Sequence, residues 1–298
     1  MKTLKRIITA VLAVMSISVL SACDELQDVL NSEESIPNST SGTTTEKTNF
    51  ISHYIDVGQG DSEFLELPNG QTMLIDASTK DQSDTIIEYI ESKGYSSIDY
   101  VIATHPHADH IGGMAAVIEH FDIGTVYMPN IETSTKTFEN LLETIMDKGL
   151  KIKTAKAGVS VLDTADLDIE MLAPVQKSYS NLNNYSAVIK VTYKDTAFLY
   201  MGDAETEIEE EITADVSADV IKVGHHGSDT SSSQNFVERV SPRYAIMEVG
   251  ADNSYGHPKS EIIERWENNG ATVYRTDLNG NIIVTSDGQN ITVNTEKS

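Results

Sequence analysis

The stretch Thr104-His105-Pro106-His107-Ala108-Asp109-His110-Ile111-Gly112-Gly113 decides how the whole chain is interpreted. It directly follows the apolar segment 100–103, which is predicted to be a short buried strand. A tight loop at a strand end can aim alternate side chains at one point. The first two histidines are therefore predicted to bind one metal ion, and the Asp109-His110 pair a second. A histidine-rich loop without an ion is disfavoured, because three of the eight histidines fall here.

The ligand types limit which ions are expected. Imidazole and carboxylate together suit zinc, and also iron or manganese. We expect two divalent ions, with zinc favoured and manganese as the alternative.

Strand and helix patterns surround this motif. Three strands are predicted before it, over 51–57, 63–67 and 72–75, and the turn Asn69-Gly70 is typical of a hairpin. Helices are predicted from Ser83 and near 113–120, 138–148, 205–212, 236–240 and 262–268, and strands within 151–201 and at 220–223 and 244–249. Two successive halves, each of strands followed by helices, indicate an α/β domain over 49–298 with stacked sheets and helices outside.

The first 48 residues have a different character. Three basic residues precede an apolar run over 7–20, which is about 14 residues and too short for a span of roughly 20. Leu20-Ser21-Ala22-Cys23 then resembles a bacterial lipobox, so 1–22 is predicted to be a lipoprotein signal peptide and 23–48 a flexible tether. The alternative is an ordinary signal peptide with an incidental cysteine. We expect lipid anchoring through Cys23 at the extracellular face of the cytoplasmic membrane.

The charge of the chain restricts its partners. The formal net charge is -25. Such an acidic field opposes non-specific binding to nucleic acid or anionic lipid. A phosphate can still bind locally at a metal site, so DNA remains a candidate substrate without tight non-specific DNA binding.

The motif His-x-His-x-Asp-His after a strand resembles the signature of the metallo-β-lactamase superfamily. More narrowly, five segments resemble, in order and spacing, the ComEC-like competence hydrolase domain and its stand-alone relatives. They are Asp56-Val57-Gly58-Gln59-Gly60-Asp61-Ser62, the histidine motif, Tyr200-Met201-Gly202-Asp203, Val223-Gly224-His225-His226-Gly227-Ser228 and Tyr255-Gly256-His257-Pro258. The resemblance implies a four-layer αβ/βα sandwich of two mixed sheets flanked by helices.

The resemblance also implies residue roles. His105, His107, Asp109 and His110 would bind the ions, and Asp203 would bridge them. The alternative for Asp203 is a helix N-cap, because the residues after it have helical character.

The His225-His226 pair is expected to supply one further metal ligand. Adjacent residues of an extended chain point in opposite directions, so both are not expected to bind one ion. His226 is the favoured ligand, and His225 is the favoured contact to a phosphate. His257 is expected either to protonate a leaving group or to bind a substrate oxygen.

One departure concerns the first ion. Many superfamily members carry another metal histidine between the motif and the bridging aspartate, whereas this chain has Asn183-Asn184-Tyr185-Ser186 in that region. The first ion is therefore expected to have an open or water-filled position, or to be held weakly. Asp61 and Asp76 are expected to hold the second ring nitrogens of metal histidines, and Asp56 less so.

Together these features predict a metal-dependent hydrolase. A hydroxide bridging the ions would attack a phosphodiester in DNA or a cell-wall polymer, with Asp109, His225 and His257 contributing to catalysis. Bound zinc lowers the pKa of water from about 15.7 to near 7. The alternatives are hydrolysis of a carboxylic ester, thioester or lactam, and a non-catalytic surface binding lipoprotein, which the intact ligand set disfavours.

Overall fold

A computed structural model describes Asn49–Ser298, which belong to one compact unit. The predicted signal peptide, the tether and Cys23 lie outside the described residues. Among the helices of 49–298, none is both long enough and apolar enough to cross a membrane.

Fifteen strands and eight α-helices form within residues 49–298. The strands are β1 (Phe50–Tyr54), β2 (Glu63–Glu66), β3 (Thr72–Ile75), β4 (Ser97–Ile102), β5 (Asp122–Met128), β6 (Ile152–Thr154), β7 (Val159–Asp163), β8 (Leu167–Ala173), β9 (Val188–Tyr193), β10 (Thr196–Tyr200), β11 (Val220–Lys222), β12 (Tyr244–Met247), β13 (Thr272–Arg275), β14 (Ile282–Ser286) and β15 (Ile291–Thr295). The helices are α1 (Ser83–Ser92), α2 (Ala108–Ile111), α3 (Met114–His120), α4 (Lys136–Asp147), α5 (Thr206–Glu211), α6 (Gln234–Val240), α7 (Ser260–Asn268) and α8 (Thr276–Asn279).

The strands form two mixed sheets. The first has the order β15-β14-β1-β2-β3-β4-β5-β6 and is antiparallel up to β3 and parallel from β3 to β6. The second has the order β13-β12-β11-β10-β9-β8-β7 and is parallel from β13 to β10 and antiparallel beyond it. Each sheet therefore has one parallel region whose strand ends can carry a site.

Alternating side chains hold the layers together. In β10, Phe198 and Tyr200 face the first sheet, whereas Leu199 packs with the outer helices. Phe198 meets Phe50 of the first sheet edge-on, with 4.6 Å between ring centroids. Apolar side chains of α1, α3 and α4 cover the outer face of the first sheet, and those of α5, α6 and α7 cover the second. The four-layer αβ/βα sandwich is confirmed.

Two local predictions differ from the structure. The strand β5 was not predicted, because Asp122, Gly124 and Thr125 interrupt the apolar pattern, and only its last three residues are buried. The histidine motif is not a loop throughout, since its second half forms the short helix α2. That helical turn allows the adjacent residues Asp109 and His110 both to approach His226.

Candidate metal centre

The candidate ligands follow the ends of four strands and lie close together. Asp76 follows β3, the histidine motif follows β4, Asp203 follows β10 by three residues, and the His225-His226 pair follows β11. In each sheet these strands are parallel neighbours, so their carboxyl ends lie at the same edge. Open α/β sheets bind ligands outside the carboxyl ends of their strands. The topology thus brings distant parts of the sequence into one cluster.

The first ligand group consists of His105, His107 and Asp203, which can place one ligand atom each within 4.8 Å of the others. His105 Nε2 lies 3.0 Å from His107 Nδ1 and 3.6 Å from Asp203 Oδ2. The other ring nitrogen of His105 lies 3.3 Å from Ser186 Oγ. His105 and His107 are therefore brought together as predicted, with Asp203 between them and the second group.

The second ligand group consists of Asp109, His110 and His226, again within 4.8 Å of one another. His226 Nε2 lies 3.5 Å from Asp109 Oδ2 and 3.5 Å from Asp203 Oδ1. His110 Nε2 lies 3.1 Å from the same Asp203 oxygen. The two oxygens of Asp203 thus face different groups, which is the arrangement that a bridging carboxylate requires.

These spacings fit metal ions. With zinc–nitrogen bonds of 2.0–2.1 Å, two ligands on a tetrahedral ion are about 3.4 Å apart. Within residues 49–298, the buried atoms His110 Nε2, His226 Nε2 and Asp203 Oδ1 have no hydrogen-bond partner. Buried polar atoms without partners are costly, and a cation would satisfy all three. The side chains therefore fit two ions.

Further polar groups contact the ring nitrogens of His110 and His226 that face away from the ligand group. His110 Nδ1 lies 2.7 Å from Asp76 Oδ2, and Thr104 Oγ1 donates to the same oxygen at 2.5 Å. Asp61 Oδ1 lies 3.1 Å from His226 Nδ1, and its other oxygen accepts from the buried Lys222 Nζ at 2.6 Å. Such contacts fix the orientation of metal-binding imidazoles. Asp56, in contrast, pairs with Lys297 at 3.1 Å, at a place apart from this cluster.

The extended backbone predicted for the histidine pair is wrong. His225 and His226 are not extended but left-handed, with φ of 50° and 52°. His226 Nδ1 donates to the Glu248 carbonyl at 2.9 Å. This bond orients the ring so that its Nε2 faces Asp109 and Asp203 of the second ligand group. His225 Nδ1 is held by Thr230 Oγ1 at 2.9 Å, and its Nε2 lies 3.6 Å from Asp203 Oδ2. Both imidazoles therefore approach the same carboxylate, from its two sides.

The carboxylates strongly affect the protonation of the cluster. Burial disfavours a charged imidazole, but Asp203 and Asp61 outweigh it and raise the pKa of His226 to about 10. The pKa of His110 is likewise raised well above its ordinary value, because nearby carboxylates outweigh burial. Burial alone would raise the pKa of Asp203, but His110 and His226 hold it well below its ordinary value. A metal ion must therefore displace protons from His110 and His226 when it binds.

A cavity of about 370 Å³ opens above the ligands. It is lined by Gln59, His107, Ala108, Asp109, Asn183, Asp203, His225, His226, Tyr255 and His257. Burial, together with His225 and His226, lowers the pKa of His257 to about 4. A neutral imidazole at pH 7 favours the second expected role of His257, a contact to a substrate oxygen. The Asn253 side chain holds the His257 backbone, because its Oδ1 accepts from the His257 N–H and its Nδ2 donates to the His257 carbonyl.

Several residues of the site were not identified from the sequence. Gln59 and Tyr255 belong to quoted segments but had no role assigned, and Asn183 was noted only for its position. Lys222 ends an apolar strand, and a buried lysine has no pattern that separates it from an exposed one. Lys259, which follows the segment 255–258, does not line the cavity, and its Nζ donates to the Tyr255 carbonyl.

Comparison with known proteins agrees with this geometry. The profile of the metallo-beta-lactamase superfamily matches residues 55–249. The chain is 30% identical over 248 residues to ComE operon protein 3 of Bacillus subtilis (strain 168), covering 76% of this chain and 32% of that protein. It is also 30% identical over 230 residues to competence protein ComA of Neisseria gonorrhoeae, covering 76% of this chain and 30% of that one. The chain thus spans about a third of the length of these relatives.

Solved structures show the same fold at low identity. YhfI of Bacillus subtilis, a metallo-beta-lactamase fold protein, superimposes with a TM-score of 0.53 at 10% identity, over 80% of this chain and all of that chain. CmlA of Streptomyces venezuelae, a diiron beta-hydroxylase, superimposes with a TM-score of 0.52 at 14% identity, over 78% of this chain and 53% of that chain. These likenesses concern the fold alone, and the reaction has to be argued from the site.

Proposed function

The chain belongs to the metallo-β-lactamase superfamily, and from this premise we propose that it is a two-metal hydrolase acting on phosphodiesters. The observation that carries the proposal is the pair of ligand groups that share Asp203 beneath an open cavity. Two bound ions would supply an acidified water and a positive charge that holds the attacking and leaving oxygens of an in-line displacement.

The residues of the cavity wall support a phosphodiester over a lactam. Among the described residues that line it, none is Lys or Arg. A carboxylate-bearing lactam would find no Lys or Arg in this described part of the wall to pair with its carboxylate. His225 and His257 stand at the rim with ring centroids 5.5 Å apart, where two imidazoles can contact the non-bridging oxygens of one phosphate.

Neighbouring side chains hold His225 and His257 in position for this contact to a phosphate. Thr230 Oγ1 lies 2.9 Å from Nδ1 of His225 and Asn183 Nδ2 lies 3.4 Å from its Nε2, so the ring is held in place in the cavity wall. The Asn253 bonds hold the backbone of His257 from both sides. Asp109 is partly buried, and although burial would raise its pKa, His226 and His110 hold that pKa below the ordinary value. It therefore stays ionised as a ligand or as an acceptor for the proton of the attacking water.

Activity measurements on metal-reconstituted protein test the proposal. Bis(p-nitrophenyl) phosphate should be cleaved faster than nitrocefin and faster than p-nitrophenyl acetate. The matched control is Asp203→Asn, which keeps the shape of the side chain and removes its charge. Nitrocefin or acetate turnover exceeding all phosphodiester turnover would assign the reaction to the lactam or ester alternatives. Protein that holds no metal after reconstitution would instead favour a binding role.

We also propose an extracytoplasmic location, supported by the lipobox-like Leu20-Ser21-Ala22-Cys23. A DNA or cell-wall phosphodiester would be reached there, and the membrane would be contacted only through the lipid. Cys23→Ala should release the protein from the membrane fraction or stall its processing. Unchanged processing and membrane retention would contradict the anchor.

A further inference from the structure

The two ligand groups differ in the number of protein ligands that they offer. The group with Asp203 Oδ1 contains Asp109, His110 and His226, which makes four protein ligands. The group with Asp203 Oδ2 contains only His105 and His107. The first ion would therefore have one protein ligand fewer, unless another side chain in the cavity wall supplies an atom.

Asn183 has such an atom. Its side chain lines the cavity, the residue is only 6% exposed, and its Oδ1 has no hydrogen-bond partner within residues 49–298. A buried acceptor without a partner costs about 1–3 kcal/mol. A cation or a donor in the cavity would remove that cost.

The neighbours of Asn183 determine which end of its amide is free. Nδ2 donates to Glu205 Oε1 at 3.2 Å. A carboxylate can only accept, so reversing the amide would set two acceptors against each other. The Asn181 side chain bonds the other Glu205 oxygen and also accepts from the Asn183 N–H. The oxygen, and not the nitrogen, is therefore the free atom.

The amide also stands on the side of the first group. Its Nδ2 lies 3.4 Å from His225 Nε2, and that nitrogen lies 3.6 Å from Asp203 Oδ2, the oxygen facing His105. We propose that Asn183 Oδ1 is the fourth protein ligand of the ion held by His105, His107 and Asp203. The assignment rests on the proposed two-metal centre, and it makes this ion the more weakly held of the two, because a neutral amide replaces the carboxylate that Asp109 gives the other ion.

Metal retention gives the first test. Zinc-loaded protein is dialysed against a chelator of graded strength, and the ions per chain are counted by elemental analysis. The Kd of the weaker ion should rise at least about tenfold in Asn183→Ala, while the stronger ion stays bound. The double variant Asn183→Asp with Glu205→Gln, which retains an oxygen at the same distance along the side chain and replaces the facing carboxylate by an amide, should bind the weaker ion at least as tightly as the natural chain.

Asn184→Ala is the matched control. Asn184 is the adjacent buried asparagine, but it bonds Glu207 and the backbone of Glu205 and does not line the cavity. It should retain both ions. Equal loss in Asn183→Ala and Asn184→Ala, wild-type retention in Asn183→Ala, or loss of the weaker ion in the double variant Asn183→Asp with Glu205→Gln would overturn the assignment.

A direct measurement covers the case in which a variant does not fold. In a crystal of the natural chain with Mn²⁺, the anomalous signal of the first ion should lie within about 2.5 Å of Asn183 Oδ1, the range of oxygen–metal bonds. A separation above about 3.5 Å would mean contact through water and would overturn the proposal. Both measurements are independent of turnover, so absent phosphodiesterase activity would count against the proposed function and leave this assignment standing.

Discussion

Replacing Lys222 with Met should destabilise the metal-free protein strongly. Lys222 is fully buried at the end of β11, and its Nζ lies 2.6 Å from Asp61 Oδ2 and 3.1 Å from the Val223 carbonyl. Burial by itself would lower the pKa of the lysine, but Asp61 and Glu248 outweigh it, so the pKa stays above its ordinary value. The ammonium is therefore charged, and it is paired with Asp61.

The magnitude follows from which neighbours carry charge. Burial, with Glu248 and Asp61 nearby, raises the pKa of Glu63 well above its ordinary value, and burial and Asp61 raise that of Glu248 to about 8. Glu248 is thus largely protonated at pH 7, and replacing Lys222 removes the closest cation of Asp61 and leaves that carboxylate with the His226 ring at 3.1 Å from its Oδ1. Removing one partner of a buried pair costs about 3–5 kcal/mol. At roughly 2–4 °C per kcal/mol for a domain of this size, the Tm should fall by about 6–20 °C.

Thermal unfolding followed by circular dichroism in EDTA measures this fall. The control is the double variant Asp61→Asn with Lys222→Met, which removes both charges and should recover much of the lost stability. A single variant within about 1 kcal/mol of the natural chain, or a double variant as unstable as the sum of its parts, would refute the charge-pairing argument.

Three further changes probe the site and its support. Asp203→Asn should abolish turnover and lower the metal content, because the side chain loses the charge between the two ligand groups; full metal occupancy by elemental analysis would contradict this. His257→Ala should slow phosphodiester turnover by about 10²-fold or more, because it removes a contact to a substrate oxygen that strengthens in the transition state, with both ions retained, and a loss of metal would place His257 among the ligands. Glu248 has a folded pKa of about 8 against an ordinary 4.5, so the folded protein keeps a proton that the unfolded chain has lost, and stability falls as pH rises between these values. Glu248→Gln should remove this fall, and a Tm difference from the natural chain that does not grow from pH 6 to pH 8.5 would be evidence against it.

Much of the fold was predictable because its signals are local. The hairpin at Asn69-Gly70 joins β2 and β3, and β3 spans the predicted Thr72–Ile75. The helix predicted from Ser83 begins there. The strand β5 was missed because its pairing with β4 and β6 on either side, and not its own pattern, makes it a strand.

The site residues that lie close together in the sequence were predictable, whereas those that come from distant parts of the sequence were less so. His105, His107, Asp109 and His110 lie in one motif, and the structure brings them together. Asn183 and Lys222 have ordinary local sequences, and their importance arises from burial and from the partner that each meets across the fold. The histidine pair shows a third case, since the left-handed backbone of His225 and His226 departs from the extended geometry assumed for a strand end.

The positions of the ligands connect metal binding to the packing of the two sheets. His105, His107, Asp109 and His110 follow a strand of the first sheet, whereas Asp203 and His226 follow strands of the second. Each ion would therefore join the two sheets at the edge where both end. Without ions, the protons on His110 and His226 provide the positive charge that the buried carboxylates need.

The net charge of the chain affects which substrates react fastest. Because this charge is -25, the surface repels long polyanions. A short diester should thus react faster than duplex DNA, and added divalent cations should narrow the difference by screening this repulsion.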